Sequence, residues 1–189
     1  LDGRRLEADL QAQAFGGRGG THLTADASQS PLQYWQRTEI LDADMRGVTD
    51  EWFGAALIDA PGRFRYEISG AGTSVADIMS NISGSASLVL GSGTARAGVA
   101  ERAVRGLATV ALTTLLHMKK VDDVKMNCMV SEVKIDSGVA EFEVLVLDTV
   151  RATVVGSGSA NLAEETWDVW FKPKPKRFAL NAAVPVHMT

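Results

Sequence analysis

Apolar and polar residues alternate with a period of two along most of the chain, the pattern of strands that bury one face. Leu6, Ala8, Leu10, Ala12 and Ala14 alternate with Glu7, Asp9, Gln11 and Gln13. A turn is expected at "GGRGG", after which Leu23, Ala25 and Ala27 alternate with His22, Thr24 and Asp26. Phe64, Tyr66 and Ile68 face away from Arg63, Arg65 and Glu67, and Ala86, Leu88 and Leu90 do the same against serines. Met129, Val133 and Ile135 oppose Glu132 and Lys134, and "DSG" predicts a tight turn into Val139. Phe142, Val144 and Val146 follow, while Leu145 and Leu147 on the other parity predict a strand buried on both faces. Strands of this kind joined by short turns predict a meandering antiparallel sheet.

Helical spacing interrupts the alternation. "TSVADIMSNI" predicts a short helix with Thr73 or Ser74 as N-cap and Asp77 in the first turn, ending before Gly84. "GVAERAVRGLATVALTTLLHMKK", residues 98–120, predicts a long amphipathic helix with Ala100, Ala103, Val104, Leu107, Ala111 and Leu115 at helical spacing. Its half from Leu107 to Met118 is apolar nearly all round and needs burial, and Lys119 and Lys120 suit its C-terminal end. A further short helix is expected at "TDEWFGAAL", with Thr49 or Asp50 as cap. No break in composition divides the chain, so residues 1–189 read as a single domain of mainly β, α+β type.

"VVGSGSANLAEETWDVWF" superficially offers a strand followed by a phosphate-binding glycine loop. Parity excludes it. Val150, Ala152, Val154, Gly156, Gly158, Ala160 and Leu162 occupy one phase without a slip, so the glycines belong inside a strand. Glycines there mark a bend, a bulge or close approach by another element, and the long helix is the expected occupant. Neither the Lys-Ser/Thr of a Walker loop nor the third glycine of a dinucleotide loop follows. The chain instead turns near Asn161 to Glu165 and returns with Trp167, Val169 and Phe171 on one face.

Composition narrows the functional classes. The 189 residues are 46% hydrophobic and 22% charged, which fits a folded domain. A net charge of −4 without a basic face argues against nucleic acid as a partner. Cys128 is the lone cysteine, so neither an intrachain disulfide nor a cysteine-rich metal site is expected, and a buried, inert thiol is the default reading. His22, His117 and His187 show no ligand spacing, and no "GxSxG" nucleophile elbow occurs. Asp122 and Asp123, following Lys119 and Lys120, read as a solvated loop. No catalytic residue, metal or cofactor is therefore expected, and the chain reads as a non-enzyme. "KPKPKRF" suits an edge strand protected by Pro173 and Pro175, or a contact with anionic head groups or a protein partner. No signal peptide or membrane span is visible, and the missing initiator Met predicts a piece of a longer protein.

Several stretches carry a family likeness. "GAGTSVADIMSNISGSASLVLGSGTARAGV", "MNCMVSEVKIDSGVAEFEVLVLDTV", "VVGSGSANLAEETWD", "KPKPK" and "VPV" occur in the order seen at the C-terminal end of AsmA-family proteins. The resemblance covers residues 62–189, and "LDGRRLEADLQAQAFGG" is compatible with it over 1–61. It implies a periplasmic protein of a Gram-negative bacterium, held in the inner membrane by an N-terminal helix absent from this sequence. It also implies similarity to TamB-type bridge-like lipid transfer proteins, whose curled, β-taco-like sheet forms a groove for phospholipid acyl chains during outer-membrane biogenesis. A link to outer-membrane or envelope protein partners is implied as well.

A sheet apolar on one face must close on itself, add a partner layer or hold a ligand. Under the last option the groove wall would be Phe64, Tyr66, Ile68, Leu88, Leu90, Phe142, Val144, Val146, Val150, Val154, Leu162, Trp167, Val169 and Phe171, with the long helix packed on or in it. Plain core packing is the competing reading of each residue.

Overall fold

The computed structural model describes residues 4–28, 30–96, 123–176 and 186–188. In chain order the elements are β1 (Arg5–Ala14), β2 (Gly17–Asp26), β3 (Leu32–Asp44), α1 (Met45–Phe53), β4 (Ile58–Asp59) and β5 (Pro61–Gly72). These are followed by α2 (Val75–Asn81), β6 (Ser83–Leu90), β7 (Gly93–Ala95), β8 (Val124–Asp136) and β9 (Val139–Thr149). The chain continues through β10 (Ala152–Asn161), β11 (Thr166–Pro175) and β12 (Val186–Met188). They build one 12-stranded antiparallel sheet in the order β1-β2-β3-β5-β6-β8-β9-β10-β11-β12, with β4 and β7 paired off this path. Among the described residues the path ends at β1 and at β12 without joining them, so the sheet is open and curled rather than a closed barrel. Among the described residues the only helices are the two short ones; the expected long helix over 98–120 lies outside those residues.

Local chemistry explains the joints. The first hairpin turns on Phe15 and Gly16, both at positive φ (51° and 71°), the pairing that a two-residue hairpin turn requires. Gly17 to Gly20 already belong to β2, so the turn is shorter and earlier than "GGRGG" suggests. Ser137 and Gly138, at φ 49° and 79°, make the same kind of turn at "DSG". Helix α2 starts as expected: Ser74 Oγ accepts from the Asp77 backbone N–H at 3.1 Å, and Asp77 Oδ2 accepts from the Thr73 N–H at 2.8 Å. Helix α1 begins earlier than Thr49 or Asp50, because Asp44 is the cap and accepts from the Arg46 N–H at 2.9 Å. Thr49 lies inside the helix; its hydroxyl donates to the Met45 carbonyl and accepts from the Leu57 N–H at 3.0 Å.

Register assigns the faces, since residues directly paired across antiparallel strands project to the same side. One row runs Ile40, Phe64, Leu88, Ser131 and Leu145. The neighbouring row runs Gly62, Leu90, Met129, Leu147 and Val154. Three bulges modify the pattern, each placing an extra residue in one strand: between Ile40 and Ala43 in β3, between Met126 and Cys128 in β8, and opposite Glu132/Val133 in β9. Bulges bend the strand and raise its twist, which helps curl an open sheet.

Among the described residues the packed interior is small. Ala60, Leu90 and Met126 form the buried cluster, with Met45, Ile58, Leu88, Met129 and Leu147 packed against it. Met45 brings α1 over Gly62 at this end of the face, whereas Ile78 of α2 lies against Gly72 at the other. Leu90 apart, the apolar side chains of the central rows between the two helices are only half-buried.

Candidate functional site

The candidate site is the apolar face of the sheet between α1 and α2. No regularly paired position on this face carries a charge from β1 through β11, whereas the opposite face carries Glu7, Asp9, Arg37, Arg63, Arg65, Glu132, Lys134 and Lys172. A continuous face without ionic groups is a surface for alkyl chains or for another packed layer, because an apolar occupant costs it no buried charge.

Ten of the wall residues expected from sequence share this face: Phe64, Tyr66 and Ile68 of β5, Leu88 and Leu90 of β6, Phe142 of β9, Val154 of β10, and Trp167, Val169 and Phe171 of β11. Four others stand elsewhere. Val144 pairs with Glu132 and Val146 with Val130, on the opposite face, because the β9 bulge between Phe142 and Val144 reverses the parity. Val150 is 51% exposed between β9 and β10, and Leu162 lies in the turn after β10. Leu145 and Leu147 take the places on the apolar face instead, and so do Ile40, Met129, Val133 and Ile135. The parity of Leu145 and Leu147 was visible in the sequence, but the bulge that decides it was not.

Gly156 and Gly158 do lie within β10, opposite Phe171 and Val169. The space above Gly156 is filled from the neighbouring strand: a methyl there would meet the Leu145 side chain, 2.8 Å from Cγ. Gly158 has φ 141° and lies against the Asp168 carbonyl, leaving no room for a side chain. The glycines therefore let β9 and β11 approach β10 closely.

Apart from Ser131 of β8 and Thr149 of β9, the hydrogen-bonding side chains on this face gather in β2, β3 and β5. Thr21, Thr38 and Tyr66 stand side by side in register, with Gln36 one step along β3 on the same face. The two threonine hydroxyls are 2.7 Å apart, and the Gln36 amide donates to the Tyr66 hydroxyl. Farther along β3, the Tyr34 hydroxyl is buried without a hydrogen-bond partner among the described residues. Burial pushes its pKa up, because desolvation penalises the phenolate. Sequence reading missed this cluster, since its members are distant in the chain and ordinary in local context.

The remaining candidates fall on other surfaces. His22 Nδ1 is 2.6 Å from Asp9 Oδ1 and packs edge-on to Trp35 at 5.4 Å, a cross-strand arrangement on the charged face. No group of three or more His, Cys, Asp or Glu among the described residues is arranged to hold a metal. Asp148 accepts from Lys176, Thr153 and Asn127 at 2.6–2.7 Å. Those hydrogen bonds, led by Lys176, hold its carboxyl far below the usual carboxylate range. Cys128 is half-buried on β8 beside the bulge. In β11, Pro173 and Pro175 face Val154 and Ala152, while β12 pairs only with Val169 to Phe171. His117 and Asp122 lie outside the described residues.

Fold and face together define an open antiparallel sheet protein with one uncharged apolar surface. Among curated proteins the chain is similar to AsmA family protein YhjG of Escherichia coli (strain K12), with 26% identity over 110 residues. The match covers 58% of this chain and 16% of that protein, and it relates the chain to the AsmA family. The matched region thus corresponds to a small part of the relative's length. No protein-family model and no solved structure matches the chain.

Proposed function

We propose that the uncharged face binds the acyl chains of phospholipid, without chemistry, as a segment of a longer AsmA-like protein. In this reading the protein works in the periplasm of a Gram-negative bacterium, is anchored in the inner membrane by a segment outside this sequence, and conducts lipid toward the outer membrane. The observation that carries the reading is the set of half-buried apolar side chains outside the packed cluster, Phe64, Val133, Phe142 and Phe171 among them, on the face between the two helices. Covering such surface is worth about 25 cal/mol per Å². The relationship to AsmA proteins supports the same reading. No helix among the described residues is long and apolar enough to cross a membrane.

Val154 and Val155 are adjacent in sequence but project to opposite faces, Val155 being 37% exposed and paired with Lys172. Phospholipid extracted from the purified chain should be largely lost in Val154→Asp and retained in Val155→Asp, with both variants folded by circular dichroism. Equal retention in both, or absence of lipid from the unmodified chain, would overturn the proposal.

A second reading rests on a separate observation. Among the described residues, strand β1 ends the sheet path with no strand on its outer edge, and Leu6 and Leu10 are 56% and 59% exposed. Such an edge can template another strand, so the chain would be an interaction module that assists outer-membrane protein assembly. A proline at an outward-facing N–H position of β1 that abolishes partner capture, with lipid content unchanged, would favour this reading over the first.

A further inference from the structure

The polar cluster on the apolar face has a hydrogen left over. Thr21 donates its hydroxyl hydrogen to the Arg37 carbonyl at 3.2 Å, so the 2.7 Å contact between the two threonines uses the hydrogen of Thr38. The Gln36 amide donates one hydrogen to the Tyr66 hydroxyl oxygen; its other is shared between Thr21 and Thr38, each 3.2 Å away. Tyr66 is thus an acceptor within the cluster, and its own O–H hydrogen meets no acceptor among the described residues. The ring is steadied by Phe64, with centroids 5.5 Å apart, and the residue is half-buried in the middle of the face.

The surroundings select what that hydrogen can meet. A phosphate oxygen seated here would lose its water on a face with no cation at any regularly paired position, which is costly. A neutral carbonyl oxygen is far cheaper to desolvate and accepts a phenol hydrogen well. We infer that Tyr66, oriented by Gln36, is a recognition subsite for the ester carbonyl of an acyl lipid lying along the face. The phosphate head group then stays off the face while the chains extend over the rows on either side of Tyr66. The subsite rests on the lipid-binding reading above and fixes where along the sheet the ester linkage pauses. Gln36 acts as a positioning residue by occupying the Tyr66 oxygen and directing its hydrogen outward.

The test compares two lipids on the full chain: short-chain diacyl phosphatidylglycerol, and its dialkyl ether counterpart with the same chains and head group but no carbonyl. Binding is measured by calorimetry. The unmodified chain should bind the ester lipid about fivefold more tightly than the ether lipid, the worth of one net hydrogen bond. Tyr66→Phe keeps the ring and should bring ester affinity down to the ether value while leaving ether affinity unchanged, so ether binding doubles as the check on folding. Gln36→Leu should reduce the ester preference without abolishing ether binding. Equal affinities for the two lipids in the unmodified chain, or an ester preference that survives in Tyr66→Phe, would overturn the subsite and leave the apolar face standing. If neither lipid binds, the lipid-binding reading and the subsite fall together.

Discussion

The two halves of the sheet follow the same period with different side chains, and they pack differently. In β1, β2 and β3 the inward positions are largely Ala, Gly, Thr, Gln and a few leucines. The outcome is a loosely covered end, where Leu10 is 59% exposed. Beyond β5, Leu, Met, Val, Ile and Phe dominate the inward positions of β8 and β9, and from β6 to β11 Leu90 is fully buried at 0% exposure, Met126 at 4% and Val169 at 6%. Alternation thus makes a strand, but the volume carried on the apolar phase decides whether it packs. The polar cluster lies where the first half meets β5: Thr21, Gln36 and Thr38 of β2 and β3 meet Tyr66, and hydroxyls there pair across strands without displacing large apolar groups.

The sharpest way to break this comparison is truncation of one leucine in each half. Leu90→Ala should cost about 2–5 kcal/mol, because it opens a cavity beside Ala60 and Met126. Leu10→Ala should cost under about 0.5 kcal/mol, as expected of a surface substitution. Urea unfolding measures both, and similar losses would mean that the two halves are packed alike. Next in size is Gly158→Ala, expected to cost about 1–3 kcal/mol since φ 141° strains any other residue and the Asp168 carbonyl crowds the new methyl. A melting temperature unchanged by that substitution would deny the close approach of β10 and β11.

The smallest effect concerns acid. Asp148 joins the β9 end to Lys176, Thr153 and Asn127, and its folded pKa lies below the unfolded value of about 3.9. The stability it contributes is therefore complete above that value and is lost as pH falls through it toward the folded pKa. Asp148→Asn should lower the melting temperature at pH 7, by less as salt is added, and flatten the acid limb of the profile below about pH 4. An unchanged acid limb would show that the network contributes nothing to the second half's stability.

Much of the sheet was legible because period two is a property of each strand alone. The hairpin at Ser137 and Gly138, the helix capped by Ser74 and the in-phase glycines of β10 all rest on residues within a few positions of one another. Helix α1 starts before the expected Thr49 or Asp50 because Asp44 supplies the cap, and the glycines beyond Phe15 and Gly16 mask the turn there. On β9, Val144 and Val146 leave the expected wall because one additional residue, opposite Glu132 and Val133, swaps the faces. A bulge shifts register through pairing with the neighbouring strand, so local composition carries no mark of it.

The sequence by itself determined that this chain makes antiparallel strands with one apolar phase, where most of its turns fall, and which family it resembles, because those features reside in short-range pattern. Tertiary structure alone decided that Leu145 covers Gly156, that the sheet stays open, and that Thr21, Gln36 and Tyr66 meet on one face. Each of those outcomes depends on which strands become neighbours and in what register. Neighbours chosen across tens of residues are set by the packing of the whole sheet, beyond the reach of any single stretch of its sequence.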